Sequence, residues 1–299
     1  MSYIKRLDRA FKDAPVLPIN QQTKYVFISD CHRGVGDNKD NFLKNENAYI
    51  AALQHYYHYG YTYIEVGDGD ELWENKCLDE IMSMHTDVFS MLSCFHKNKR
   101  LYMLYGNHDI EKRYNDKCFR LDFPDFKVYE GIILEGSMKP QSSDIYNHNR
   151  ILVTHGHQSS LLNSTLWRVA RFLVRYLWAP LEYYTFKDPT SAAKNNNVKD
   201  RTERRLSNYA LKNNVLLIAG HTHRPTMSTD TLPYINCGSC VHPQGITCVE
   251  LCGSLISLVR WMPSANSIKT GGHRHNSYAK CPPEYPVYIT RQVLEQYRL

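Results

Sequence analysis

Five short apolar runs punctuate the chain, and each ends in a cluster of polar residues. They are Lys24 to Asp30, Tyr61 to Asp68, Arg100 to Asp109, Arg150 to His157 and Val215 to His223. Each is rich in β-branched and aromatic residues and short enough for a buried strand. Helical patterns lie between the early runs. Tyr49, Ile50, Leu53 and Tyr57 share one helical face; Ile81, Met84, Val88, Met91, Leu92 and Phe95 share another. Alternating strand and helix predicts an α/β fold with a largely parallel sheet. Farther on, Leu232 to Cys237, Gly245 to Leu251 and Leu255 to Trp261 read as antiparallel strands extending a second sheet, and Pro263 to Tyr285 reads as a loop.

Ligands of α/β folds bind beyond the carboxyl ends of the strands. All five polar clusters stand at such ends, so distant segments can converge on one site. The clusters are Asp30-Cys31-His32, Gly67 to Glu71, Gly106-Asn107-His108-Asp109, His155-Gly156-His157 and Gly220-His221-Thr222-His223. Any one is a weak signal, because a lone buried histidine is more often a hydrogen-bonded core residue. Five together are strong, because isolated buried charges are costly unless paired or metal-bound. Imidazoles, carboxylates and one amide oxygen, with no thiolate, suit Mn foremost, with Fe, Zn or Co as alternatives. Seven candidate ligands exceed one tetrahedral site and fit two divalent metal ions ~3.5–4 Å apart sharing a carboxylate.

This order of motifs resembles that of the calcineurin-like metallophosphoesterases, from Asp30 to about Ser239. The resemblance implies a two-sheet β-sandwich flanked by helices, in four layers. It implies that Asp30, His32 and His223 hold one metal, that Asn107, His155 and His221 hold the other, and that Asp68 bridges them. His108 would face the scissile phosphate and Asp109 would orient it, while hydroxide between the ions attacks phosphorus. Gly67, Asp68, Glu71 and Trp73, with Gly220 to Pro225, look like the UDP-2,3-diacylglucosamine pyrophosphatase-like subgroup. Members of that subgroup commonly have Arg where this chain has His108.

Charge sharpens the picture in one place. Net charge is +6, and the segment from Leu161 to Lys212 has ten Lys and Arg against four acids, the same excess as the whole chain. An anionic partner should meet this segment. We expect a single domain over residues 1–299, with 159–212 inserted as a helical cap. Leu162, Leu166, Val169, Leu173 and Leu177 follow helical spacing, with Arg168, Arg171 and Arg175 on another face. Such a helix either packs on its own protein or meets a membrane surface or an amphiphilic anion; Trp167 and Trp178 favour the latter. Arg33, His157 and the three cap arginines are candidate substrate contacts. No nucleic-acid-binding motif is present, and no run reaches the ~18 apolar residues of a membrane span. The N-terminal segment lacks the apolar core of a signal peptide. Nine unevenly spaced cysteines read as reduced thiols. A cytoplasmic location, peripheral to a membrane if the cap meets one, is the expectation.

The leading reading is therefore a dinuclear phosphohydrolase acting on a phosphate ester or pyrophosphate of a small, nucleotide- or lipid-linked molecule. A protein phosphatase, a nuclease and an inactive scaffold are the alternatives. Intact ligands and an intact Asn-His-Asp speak against the scaffold.

Overall fold

A computed structural model describes residues 1–114, 123–136, 150–178, 195–227, 232–263 and 289–299. Two mixed sheets face each other. The larger has seven strands in the order β12-β11-β10-β2-β3-β4-β5. Its members are β2 (Lys24–Ile28), β3 (Thr62–Val66), β4 (Leu101–Leu104), β5 (Val128–Tyr129), β10 (Ile246–Cys252), β11 (Leu255–Pro263) and β12 (Ile289–Arg298). The smaller has five, β1-β6-β7-β8-β9: β1 (Val16–Ile19), β6 (Gly131–Gly136), β7 (Arg150–Thr154), β8 (Leu216–Ala219) and β9 (Tyr234–Asn236).

Alternation along the strands builds the layers. Phe27, Ile64, Val66 and Leu104 point inward from the larger sheet onto Ile132, Ile151 and Ile218 of the smaller, and this is the central core. The opposite faces are covered by helices. Val26, Ile28, Tyr63 and Met103 pack beneath α2 (Glu46–His58) and α4 (Thr86–Lys97). Leu152 and Leu217 pack beneath α1 (Tyr3–Lys12) and a long C-terminal-half helix, Asn196–Asn213. The result is the expected two-sheet, four-layer α/β arrangement.

The differences are local. The strands after Leu232 do not extend one second sheet. β9 pairs parallel with β8, whereas β10 pairs antiparallel with β2 in the larger sheet. The apolar pattern from Ile81 to Phe95 is two helices, α3 (Leu78–Met84) and α4, broken at His85. The expected loop lies almost wholly within 264–288, outside the described residues. Cys31, Cys77, Cys237, Cys240, Cys248 and Cys252 are free, but Cys94 is disulfide-bonded, so reduction is not uniform as expected.

The segment 159–212 divides in two. Asn196–Asn213 buries Leu206, Tyr209 and Ala210 in the smaller sheet's outer layer and so belongs to the body. Before it come α5 (Leu161–Ser164) and α6 (Trp167–Leu173), then a π-helical turn over 174–178. The predicted apolar stripe is not the buried one. Trp167 and Ala170 face inward, while Leu166 is 44% and Val169 50% exposed. The break between α5 and α6 resets the helical phase that the spacing assumed continuous. The side chains of Leu177 and Trp178 lie outside the described residues.

Candidate metal centre

The loops carrying the clusters are zipped together by backbone hydrogen bonds. The amides of Asp30, His32 and Arg33 donate to the carbonyls of Gly67, Asp68 and Gly69. Gly220 N–H donates to His155 O, and Cys240 N–H to Asp30 O. These contacts join the first loop to the second and the fourth to the fifth, and Asp109, which accepts from the Asp68 and Gly69 amides, ties in the third. Asp30, His32, Asp68, His221 and His223 all have φ between 49° and 70°. Non-glycine residues rarely adopt this left-handed backbone, and such strain concentrates at functional sites. Gly106 is required for a different reason: a Cβ there would collide with Asp68 Oδ1.

Six of the candidate ligands gather in two groups. Asp30, His32 and His223 form one group, and Asp68, His155 and His221 another, with the atoms of each group within 4.8 Å of one another. Asp30 Oδ2 is satisfied by Ser29 Oγ (2.6 Å) and by His221 N–H (2.8 Å). Asp68 Oδ1 accepts from His108 N–H (2.8 Å), and His155 Nδ1 lies 2.9 Å from Val66 O. The opposite atoms are left over. Asp30 Oδ1, Asn107 Oδ1 and His155 Nε2 are buried without a hydrogen-bond partner. His223 Nε2 lies 3.0 Å from Asp30 Oδ1, and Asp68 Oδ2 lies 3.0 Å from His155 Nε2. Close but unaligned, these atoms behave as groups converging on a common point. Buried polar atoms are normally paired, so the donor set fits divalent metal ions.

Charge is concentrated here. Burial pushes the Asp30 carboxyl up, yet the His223 and His155 imidazoles hold it well below the usual range. Burial pushes His155 down, but Asp68 and Asp30 outweigh it and raise it to about 9. His221 falls to about 3, from burial and the neighbouring His155. His157 is buried near His155, with ring centroids 5.6 Å apart, and burial holds its pKa far down. It is an interior group behind a ligand rather than a substrate-facing one.

Asp109 does not orient His108. Its Oδ1 accepts from the amides of Gly106 (2.7 Å) and Asp68 (3.2 Å), and its Oδ2 from Gly69 (3.0 Å). It ties the second and third motif loops together. The orienting carboxylate is Glu71, whose Oε1 is 2.7 Å from His108 Nδ1 and whose Oε2 is 2.7 Å from His32 Nδ1. Trp73 stacks on the His108 ring at 4.2 Å. Both residues sit in the second motif, but an extended loop gave no reason to aim Glu71 at His108. Burial lowers the His108 pKa; Glu71 and Asp68 more than offset it and raise it.

Arg33 is not a substrate contact either. It is fully buried, with Nε 2.6 Å from Asp70 and its two terminal nitrogens 2.9 and 3.0 Å from Glu65. Lys112, missed from sequence, completes that network at 2.5 Å from Asp70 and 3.0 Å from Asp109. Its signal was one helical turn's spacing from Asp109. Of the cap arginines, Arg171 pairs with Glu111, Arg175 donates to backbone carbonyls, and Arg168 lies 5.4 Å over the Trp167 ring. Asn163 of the cap, which no motif marked, has its carboxamide 3.4 Å from His221 Nε2. The Cys237-Gly-Ser-Cys240 pair is a turn: Asn236 Oδ1 accepts from Gly238 N–H, and both thiols are buried.

Two facing sheets with carboxylates, imidazoles and an amide gathered at their strand ends define a metal-dependent hydrolase. The calcineurin-like phosphoesterase family model matches residues 23–225, and the chain belongs to that family of phosphoester hydrolases, which use divalent metals. Among solved structures, an archaeal phosphodiesterase is 15% identical, covering 91% of this chain and 100% of its own, at a TM-score of 0.32. A cold-active protein tyrosine phosphatase is 14% identical, covering 81% and 77%, at 0.39. A 5'-nucleotidase from Candida albicans SC5314 is 9% identical, covering 83% and 49%, at 0.30. A comparison with curated proteins gives no match. No helix among the described residues is long and apolar enough to cross a membrane.

Proposed function

We propose that the chain is a dinuclear phosphohydrolase that cleaves a phosphate ester or pyrophosphate in a small nucleotide- or lipid-linked substrate. One observation carries the reading: three buried polar atoms without partners converge beside an imidazole held by its own carboxylate. Asp30, His32 and His223 would hold one ion, Asn107, His155 and His221 the other, with Asp68 shared by both; Mn is the leading metal. Two such ions supply Lewis-acid stabilisation of the phosphate and a hydroxide nucleophile near neutral pH. Asp30 and Asp68 offset part of the cationic charge. The site stays cationic enough to attract a phosphate. Glu71 fixes the His108 ring through Nδ1, leaving Nε2 to donate a proton to the leaving oxygen.

The cap supports the amphiphilic side of the reading. Leu166, Val169, Phe172 (61% exposed) and Tyr176 (59% exposed) present apolar surface to solvent beside exposed Arg168. We assign this surface to the non-reacting part of the substrate, with Arg168 as its anionic contact. Peripheral membrane contact from the cytoplasm belongs to the same reading. The UDP-2,3-diacylglucosamine pyrophosphatase-like subgroup is its finest form; Glu71 and Trp73 of the second motif and Gly220 to Pro225 support it, and His108 departs from the Arg common there.

The test is a screen of chelated enzyme, with and without added Mn, on p-nitrophenyl phosphate, its bis-ester and a lipid-linked nucleoside diphosphate. Mn-dependent turnover with preference for the diphosphate is expected. Turnover of none of the three would leave the scaffold reading standing.

A further inference from the structure

The cap's arginines make contacts that a substrate-binding role does not account for. Arg175 lies in the π-helical turn that continues α6. Its Nε donates to Trp73 O (2.7 Å), and its Nη2 donates to Leu72 O (2.8 Å) and Asn75 O (3.0 Å). Three carbonyls of one loop are thus gathered by one guanidinium, whose planar fork suits several acceptors at once. That loop begins at Glu71. Its next turn is closed by Asn75, whose N–H and carboxamide both donate to Glu71 O, at 3.1 and 2.9 Å.

The same loop carries both groups that define the His108 ring. Glu71 holds Nδ1 at 2.7 Å, and the Trp73 indole stacks on the ring face at 4.2 Å with an interplanar angle of 24°. A flat ring held at one nitrogen can still rock about that bond; stacking against a buried indole removes this freedom. Trp73 is itself buried, and its backbone carbonyl is one of the atoms Arg175 holds. On the far side of His108, Arg171 pairs with Glu111 in the turn that follows the third motif. Two arginines one helical turn apart therefore grip the chain on either side of His108.

We propose that Arg175 is a positioning residue: acting through the Leu72–Asn75 loop, it sets the orientation of the His108 ring. The cap thereby completes the reaction centre as well as covering it. This rests on the proposed role of His108 and deepens it. It also reverses the expectation from sequence. A substrate-contacting arginine would affect KM for a large substrate alone, whereas a positioning arginine lowers turnover even of a substrate too small to reach the cap.

The experiment measures p-nitrophenyl phosphate turnover by metal-saturated enzyme for Arg175→Gln, His108→Ala and the double variant. Arg175→Gln should lower kcat by ~10–100-fold, the usual cost of removing an orienting partner. KM should stay within about twofold of the wild type, since the substrate is untouched, and metal content is checked at saturation because Glu71 of the same loop also holds His32. In the His108→Ala background the same change should cost little, because the ring it positions is gone. Equal losses in both backgrounds, or a change in KM alone, would overturn the inference, as would wild-type turnover by Arg175→Gln beside an impaired His108→Ala. Full turnover by His108→Ala would instead overturn the role of His108, a separate result read from a separate variant. If Arg175→Gln folds poorly, Trp73→Leu breaks the same chain of contacts at its other end and must show the same dependence on His108.

Discussion

Two buried clusters of charge sit side by side at the ends of β2 and β3, and they differ in whether the protein completes them. In the first, Arg33 and Lys112 face Glu65, Asp70 and Asp109. Oppositely charged atoms there meet at 2.5 to 3.0 Å, although the Lys112–Asp70 contact is closer than it is well aligned. In the second, Asp30 Oδ1, Asn107 Oδ1 and His155 Nε2 make no aligned hydrogen bond, and among the described residues only imidazoles, with no Lys or Arg, stand against the Asp30 and Asp68 carboxylates, at 3.0 Å. Burial is equally deep in both. The closed cluster is scaffold: through Asp109 it pins the amides of Gly106, Asp68 and Gly69. The open cluster holds the candidate metal ligands. Adjacency to a motif, which made Arg33 look functional, does not separate the two; the presence of permanent cations, Arg33 and Lys112, in only one of them does.

The largest expected effect lies in the open cluster. Asp68→Ala removes the carboxylate proposed to serve both ions, so elemental analysis should find both metals depleted and activity at background. His32→Ala, by contrast, should weaken mainly one ion. If Asp68→Ala kept one full equivalent of metal, the bridging position would be wrong.

His108→Ala should come next. It removes an acid–base group without touching a ligand atom, so kcat should fall by about 10²–10⁴-fold at unchanged metal content. Loss of metal in this variant would move His108 into the ligand set, where its shared carboxylate with His32 makes it a neighbour.

The closed cluster should answer in stability rather than chemistry. Arg33→Met leaves buried Glu65 and Asp70 with Lys112 as their remaining cation, and breaking a buried pair costs about 3–5 kcal/mol. Denaturant unfolding should show that loss, while metal-saturated Arg33→Met that remains folded should bind p-nitrophenyl phosphate with nearly wild-type KM. A large KM increase without destabilisation would restore Arg33 as a substrate contact.

The gathering of the open cluster was legible because its candidate ligands stand out by residue type and strand-end position, which a linear sequence displays. The layers were legible for the same reason, since Phe27 and Val26 alternate between the central core and the helix-covered face. What was not legible depends on side-chain direction. Glu71 and Asp109 are equally close in sequence to plausible partners, and only the fold shows that one meets imidazoles and the other meets amides. The cap misled for a related reason: Leu162, Leu166, Val169 and Leu173 keep helical spacing across a break that the spacing cannot reveal. The C-terminal strands were found but misassigned, because period-two alternation does not say which sheet a strand joins.

The last prediction concerns a third buried cluster, remote from the ligands, that tests whether closure can be read as stability. His85 is fully buried at the break between α3 and α4, with Asp40 Oδ2 3.0 Å from Nε2 and Glu46 Oε1 2.7 Å from Nδ1. Burial lowers its pKa, but the two carboxylates prevail and raise it from 6.5 to about 9. Asp40 is lowered in turn: burial opposes this, but His85 and the amide of Gly36 outweigh it. Because the folded value exceeds the unfolded one, the stabilisation is complete below pH 6.5 and disappears as pH rises through about 9. A shift of that size corresponds to about 3 kcal/mol. His85→Gln can keep a hydrogen bond but cannot carry the charge. The stability gap between wild type and this variant should therefore narrow by about 3 kcal/mol between pH 6 and 10, with other groups cancelling in the difference. A gap that stayed constant over that range would mean that His85 is neutral in the folded protein, and that closeness of opposite charges is not enough to call a buried cluster closed.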